Sequence, residues 1–151
     1  MPLIRKLEHD DFKNLLIIET ESFASGYSPY FIKMMPILFG NTSYISIKGH
    51  SPQGYVATAL EQGSCRAWIL SLAVLPKYRQ LGLGKALLAT GLQALAAAGA
   101  GEVLLSVSPD NQPAITLYEK MGFSTCREVS DYFGPGENRI IMKKILPEEK
   151  N

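Results

Sequence analysis

The sequence predicts one domain of mixed α+β class, its helices packed around a single sheet. Three observations predict it. A chain of 151 residues suits one core of ordinary size spanning residues 1–151, with no need of staples. Hydrophobic residues make up 46% of it, which marks a globular chain rather than a disordered one. The patterning runs strand, two helices, three strands, helix, strand, helix, two strands. A doubly wound sheet would need strand and helix to alternate throughout, and they do not.

The elements follow in order. PLIRKL (residues 2–7) alternates enough for a first strand. HDDFKNLLIIETESF reads as a helix that Asp10 or Asp11 is placed to cap, with Phe12, Leu15, Leu16 and Ile18 facing inward. ASGYSP breaks it at Gly26 and Pro29. YFIKMMPILF is a short second helix interrupted by Pro36. SYISIKG and QGYVATALEQ alternate at period two and are joined by GHSP, a hairpin signal. RAWILSLAVL is apolar on both faces near its end, so it belongs at the covered centre of the sheet; Pro76 stops it. GLGKALLATGLQALAAAG is a long helix, apolar nearly all round and therefore buried. GEVLLSVS is a buried strand. NQPAITLYEKMGF is a helix that starts at Asp110 or Asn111 and is capped at its far end by Gly122. FSTCREVSDYF and NRIIMKKIL close the sheet around a GPGE turn.

Composition narrows the function. A formal net charge of +1 gives no field for nucleic acid or anionic lipid, so neither is expected as a partner. Two cysteines, Cys65 and Cys126, make no disulfide framework and no CxxC, and an intracellular compartment follows. His9 and His50 lie far apart, so no metal site is expected. MPLIRKLEHDDF lacks the apolar stretch of a signal peptide, and the run Ala86–Ala98 falls short of a membrane span. A soluble, cytoplasmic protein is expected, with the tail PEEKN as a frayed end.

The informative stretch is YRQLGLGKALL, residues 78–88. A dinucleotide fold needs G-x-G-x-x-G directly after its strand. Here the third position is Leu87, PKYRQL intervenes, and Glu102, at the spacing of a ribose-binding acid, begins its strand instead of ending it. The Walker pattern fails because GK is followed by Ala86. What remains is a strand, a turn and a helix start. A helix's first N–H groups are unpaired and sit at the positive end of its dipole. Gly82 and Gly84 leave room for an anion to approach the backbone, and Arg79 and Lys85 add countercharge. The same glycines equally suit a tight strand-to-helix turn that binds nothing.

The stretch has a companion. LAVLPKYRQLGLGKALL gives V-x-P and R-x-x-G-x-G, and NQPAITLYEKMGF gives N-x-x-A-x-x-x-Y-x-x-x-G-F. Together they resemble the GNAT superfamily of acyl-CoA-dependent N-acetyltransferases, and the order of elements is similar over essentially the whole chain. The resemblance implies a mostly antiparallel central sheet with helices on both faces, and acetyl-CoA as acyl donor. It implies that the strand of Leu72 and Val74 pairs with the pantetheine arm. It places the pyrophosphate on the amides of Gln80, Leu81, Gly82, Leu83, Gly84 and Lys85, and Asn111 by the coenzyme. Tyr118 would face the thioester sulfur as general acid. Transfer would be direct, so neither cysteine is needed as a nucleophile.

Tyr118 also fits an inward helix face with Ala114, Leu117 and Met121, and Asn111 also fits a helix cap. Tyrosine, near pKa ~10, is a weaker acid than a thiol near ~8.5 by roughly 2 kcal/mol. Donating a hydrogen bond to the leaving sulfur is therefore an easier role than full proton transfer.

Within the superfamily, ESFASGYSPYF and SDYFGPGENRIIM resemble the ribosomal-protein alanine N-terminal acetyltransferases. Those enzymes carry a glutamate where this chain has Ser106, which is no base near neutral pH. Glu21, Glu61 and Asp131 are alternative bases. Tyr132 stands where relatives contact the substrate backbone, with Phe133 replacing an adjacent tyrosine; Tyr27 and Tyr30 would line the same cleft from the opposite loop. The expected acceptor is a protein or peptide N-terminal amine. The alternatives are a small-molecule amine, or a catalytically silent acyl-CoA-binding module. A monomer or homodimer is expected.

Overall fold

The computed structural model describes residues 3–24 and 26–147, so the PEEKN tail lies almost wholly outside the described residues. Elements run β1 Leu3–Lys6, a short 3-10 turn His9–Asp11, α1 Phe12–Ser22, α2 Pro29–Phe39, β2 Tyr44–Lys48, β3 Ser51–Leu60 and β4 Arg66–Val74. They continue with α3 Leu83–Ala97, β5 Glu102–Val107, α4 Gln112–Lys120, β6 Ser124–Val129 and β7 Arg139–Ile145. The strands form one sheet in the order β1-β2-β3-β4-β5-β7-β6. Every neighbouring pair is antiparallel except β4 and β5. β4 is thus the middle strand, as its apolar run predicts.

Helices cover both faces, and β3 shows why. Side chains alternate across a strand, so Tyr55 and Ala57 pack with Leu15 and Ile18 of α1 and Ile32 and Met35 of α2. Val56, on the other face, packs with Leu87 and Leu88 of α3, Ile115 of α4 and Met142 of β7. Burial of Leu83, Leu87, Leu88, Leu92 and Leu95 gives α3 a single inward face. Its outer face is alanine-rich, which is why the sequence reads as apolar all round.

Several local readings change. Asp11 is not a simple cap: it is buried, accepts from Glu8 N–H at 2.7 Å and receives two Arg5 guanidinium N–H groups at 2.8 and 2.9 Å. α2 runs through Pro36 to Phe39, because the proline costs one backbone bond that the packing of Ile32 and Met35 outweighs. β3 begins at Ser51, opposite Lys48, so the hairpin turn is only Gly49–His50. β6 ends at Val129, and Asp131, at φ 54°, turns Tyr132 and Phe133 into a loop. Among the described residues no helix is long and apolar enough to cross a membrane.

The site arises at the centre of the sheet. β4 and β5 pair only through Arg66–Trp68 against Glu102–Leu104. Beyond that point Ile69 and Ser71 pair with Thr58 and Ala57 of β3, and Leu70 between them has no partner. Such a bulge bends a strand, and here the bend coincides with the parting of β4 from β5. A V-shaped opening results, with a free edge on β4 from Leu70 to Val74.

Candidate active site

Two clefts meet in this opening. The first, of about 820 Å³, runs along the end of β4 and the loop into α3. Its walls include Leu72, Val74, Arg79, Gln80, Gly82, Leu83, Gly84, Lys85 and Asn111, so nearly every residue expected at the donor converges here. Leu81 is the exception: its side chain is exposed and lines neither cleft.

The loop is built as an anion cradle. Gln80 and Gly82 both hold left-handed backbone, at φ 65° and 83°, a strain for glutamine that glycine does not feel. Arg79 N–H bonds Pro76 C=O and Ala86 N–H bonds Gly82 C=O, while the amides of residues 80–85 between them have no acceptor among the described residues. Orphan N–H groups at a helix N-terminus suit a diphosphate. The guanidinium of Arg79 is partly committed, its Nε donating to Val74 C=O at 2.8 Å. The Oγ of Ser22, at the end of α1, is buried in the same wall with no hydrogen-bond partner among the described residues. An orphaned donor there fits a polar ligand such as the amide-rich arm of a coenzyme.

The second cleft, of about 440 Å³, lies between α1, β4, β5 and the loop before β7. It shares Phe23, Leu72, Asn111, Ala114 and Tyr118 with the first, so a group bound in one abuts a group bound in the other. Asn111 caps α4, its Oδ1 accepting from Ala114 N–H at 3.3 Å, and also faces both clefts. Ile115 and Tyr118 are buried in the core, with Ala114 and Met121 packed against it as expected; Ala114 also lines both clefts and Leu117 the first. Tyr118 is 7% exposed and packs edge-on against Phe123. Burial alone pushes its pKa up to about 12.

Of the three expected acceptor contacts, Tyr27 lines this second cleft, its hydroxyl donating to Leu70 C=O at 2.7 Å. Burial, and then the charge of Glu19, raise its pKa. Tyr30 does not reach the cleft. Ser28 caps α2 and Pro29 opens it, which leaves Tyr30 on the outer face at 86% exposure. Tyr132 does not line the cleft either: the left-handed turn at Asp131 brings Phe133 there instead, with Glu137 and Arg139.

None of the three carboxylates considered as base lines either cleft. Glu61 accepts from Trp68 Nε1–H at 3.0 Å, and Asp131 accepts from Gly136 N–H at 2.8 Å to hold its own loop. Glu21 is exposed on the outer side of α1. Ser106 does line the cleft. Two carboxylates line the cleft: Glu137, paired with Arg139 at 3.1 Å, and Glu19, 3% exposed and without a basic partner among the described residues. The sequence carried a signal for it: Glu19 falls four residues after Leu15 and next to Ile18, on the inward stripe of α1. Gly26 makes room for it, since a Cβ there would come within 2.8 Å of Glu19 Cγ.

Residues 6–123 match the model of the acetyltransferase (GNAT) family. The chain is 27% identical to an N-alpha-acetyltransferase of Saccharolobus solfataricus, over 95% of this chain and 92% of the relative. It is 30% identical to an uncharacterised N-acetyltransferase of Methanocaldococcus jannaschii, over 98% and 94%. The crystal structure of the ribosomal-protein-S18-alanine N-acetyltransferase from Escherichia coli superposes with a TM-score of 0.85 at 26% identity, covering 100% of this chain and 97% of that one. With the matched family model spanning most of the chain, the protein belongs to the GNAT acetyltransferase family.

Proposed function

We propose that the protein moves an acetyl group from acetyl-CoA directly to the α-amino group of a protein or peptide N-terminus. The observation that carries this is the junction of the two clefts at Tyr118, Leu72 and Asn111. The first cleft holds the coenzyme, its diphosphate on the amides of residues 80–85 and its arm along the free edge of β4 past Leu72 and Val74. Arg79 and Lys85 supply countercharge. The second cleft takes the amine, between Tyr27 and Phe133. The relatives named N-alpha-acetyltransferase and alanine N-acetyltransferase support a polypeptide N-terminus as the acceptor.

Direct transfer needs an amine lone pair in line with the thioester carbon. It also needs something to stabilise the sulfur as it leaves. A phenol at about 12 against a thiol near ~8.5 is too weak an acid by about 3.5 units, or roughly 5 kcal/mol. Tyr118 therefore acts by donating a hydrogen bond to the developing thiolate, and its high pKa keeps that donor protonated across the working range.

The test is thiol release from acetyl-CoA with a panel of acceptors. Turnover with peptides, abolished when their N-terminal amine is blocked, is the expected result. Turnover only with small amines, or tight acetyl-CoA binding with no turnover at all, would overturn the reading.

A further inference from the structure

Glu19 has a setting that neither the fold nor the donor cleft explains. Its Oε2 accepts from the Tyr55 hydroxyl at 2.6 Å and from Ser71 Oγ at 3.4 Å; its Oε1 accepts from Tyr27 N–H at 3.4 Å. Every donor is neutral, and among the described residues no basic nitrogen lies within 4.0 Å of the carboxylate. A buried carboxylate without a cation is costly. Three neutral donors occupy both oxygens but leave the charge unbalanced. The open side of this carboxylate faces the acceptor cleft, so what is missing is a cation that comes and goes.

We infer that Glu19 binds the acceptor's ammonium group and takes its proton, freeing the lone pair that attacks the acetyl carbon. The inference rests on the transfer reaction proposed above. An α-ammonium, near ~7.7–8, is mostly protonated at neutral pH. Deprotonation must come before attack, because an ammonium has no lone pair; once bonded to the acetyl carbon, the nitrogen is acidic enough to lose a second proton. The C–S bond breaks and its electron pair leaves on sulfur, facing Tyr118. The nitrogen gives up two protons: one goes to Glu19 and on to water, the other ends on the coenzyme thiol. Neutral atoms and charge balance with one proton released to solvent.

The groups that face Glu19 fit this role. Tyr55, from β3, has a pKa raised well above the ordinary value, by burial first and then by Glu19 itself. Tyr27, from the α1–α2 loop, is raised for the same two reasons. Both stay protonated and compete for no proton. Ser71 faces it from β4, Tyr118 stands across the cleft on α4, and the Arg139–Glu137 pair, 3.1 Å apart, lines the far rim. Ser106 leaves the β5 side of the cleft without a charge, so the carboxylate is supplied from α1 instead.

The decisive measurement is the pH dependence of kcat/KM for a peptide with a free N-terminus. If Glu19 binds ammonium, the wild type uses the protonated amine, and its kcat/KM is flat below the amine pKa of ~8. Glu19→Gln must wait for free amine, so its kcat/KM falls tenfold per pH unit below ~8, and lies at least about tenfold under wild type at pH 7. Its acetyl-CoA affinity stays within about twofold, since the carboxylate is outside the donor cleft. Glu19→Asp restores the flat profile at a reduced rate. Equal slopes for wild type and Glu19→Gln would overturn the assignment while leaving the acceptor reading intact. A wild type inactive on every peptide would overturn the acceptor reading itself. Should Glu19→Gln melt below the assay temperature, Tyr55→Phe decides, because it keeps the ring in the core and removes only the 2.6 Å bond. A drop of about tenfold in kcat/KM is expected there, and a change below twofold would refute the role.

Discussion

The donor cleft and the acceptor cleft share a wall but are made of different material. The donor side is backbone: amides of residues 80–85, the free edge of β4, two positions in left-handed conformation. The acceptor side is side chains from segments far apart in sequence, with Glu19, Tyr27, Phe133 and Arg139 each arriving from another element. A backbone site depends on shape, so it tolerates changes of side chain that do not fill it. A side-chain site depends on which face each residue takes, so one position of rotation alters it.

The largest expected effect tests the first half of that contrast. Gly84 lies in the first turn of α3, and a Cβ there would meet only Leu117 and Val74, at 3.5 and 3.8 Å. A side chain is thus accommodated by the fold but grows into the cleft. Gly84→Trp should weaken acetyl-CoA binding by roughly 100-fold or more, about 3 kcal/mol, as read by calorimetry. Leu81→Ala, in the same loop but exposed, should change it by less than about twofold. Equal effects at both positions would mean the loop binds through its side chains.

The same contrast explains what could be read in advance. The order of elements was legible because each carries its own period, and the donor loop was legible because it is one continuous segment next to its helix. Tyr30 and Tyr132 were misplaced because nothing local says which face a residue takes two positions into α2, or beyond the turn at Asp131. Glu19 was overlooked beside Glu21 because a lone glutamate in a helix normally points to solvent. What buries it is Tyr55, thirty-six positions away. The parting of β4 from β5 depends on an unpaired Leu70, which no periodicity reveals.

Tyr118 belongs to both clefts, and Tyr118→Phe sharpens the comparison by removing one atom from the shared wall. With the ring retained in the core, acetyl-CoA and peptide KM values should hold within a few fold while kcat falls on the order of 100-fold, the loss typical of one donor aimed at developing charge. Because the phenol's pKa is pushed up to about 12, it stays protonated below that value. The drop should therefore be the same from pH 6 to 10. A wild-type basic limb that vanishes in the variant would show instead that Tyr118 gives up its proton.

On the acceptor side the effect is smaller and specific to face. Phe133 is 62% exposed and lies against Arg139, 5.1 Å from ring centroid to guanidinium carbon. Phe133→Ala should raise the peptide KM by roughly tenfold, about 1.4 kcal/mol for a partly buried ring, with acetyl-CoA binding unchanged. Tyr132→Ala, outside the cleft, should raise it by less than about threefold. The reverse order would place Tyr132 at the substrate and return the loop to the arrangement its sequence suggests.

The smallest effect asks whether the donor cleft uses any side chain at all. Ser22 Oγ is buried without a partner among the described residues, and a hydroxyl at the end of a helix normally finds a backbone carbonyl. Left unpaired, it destabilises the free protein slightly; paired with the coenzyme arm, it adds about 1 kcal/mol to binding. Ser22→Ala should therefore push two measurements in opposite directions. The melting temperature of the free protein should hold or rise, because an unsatisfied group has been removed. The Kd for acetyl-CoA should rise by about fivefold, the equivalent of that one hydrogen bond. A lower melting temperature with unchanged Kd would mean that Ser22 is bonded within the protein, and that the donor cleft is backbone throughout.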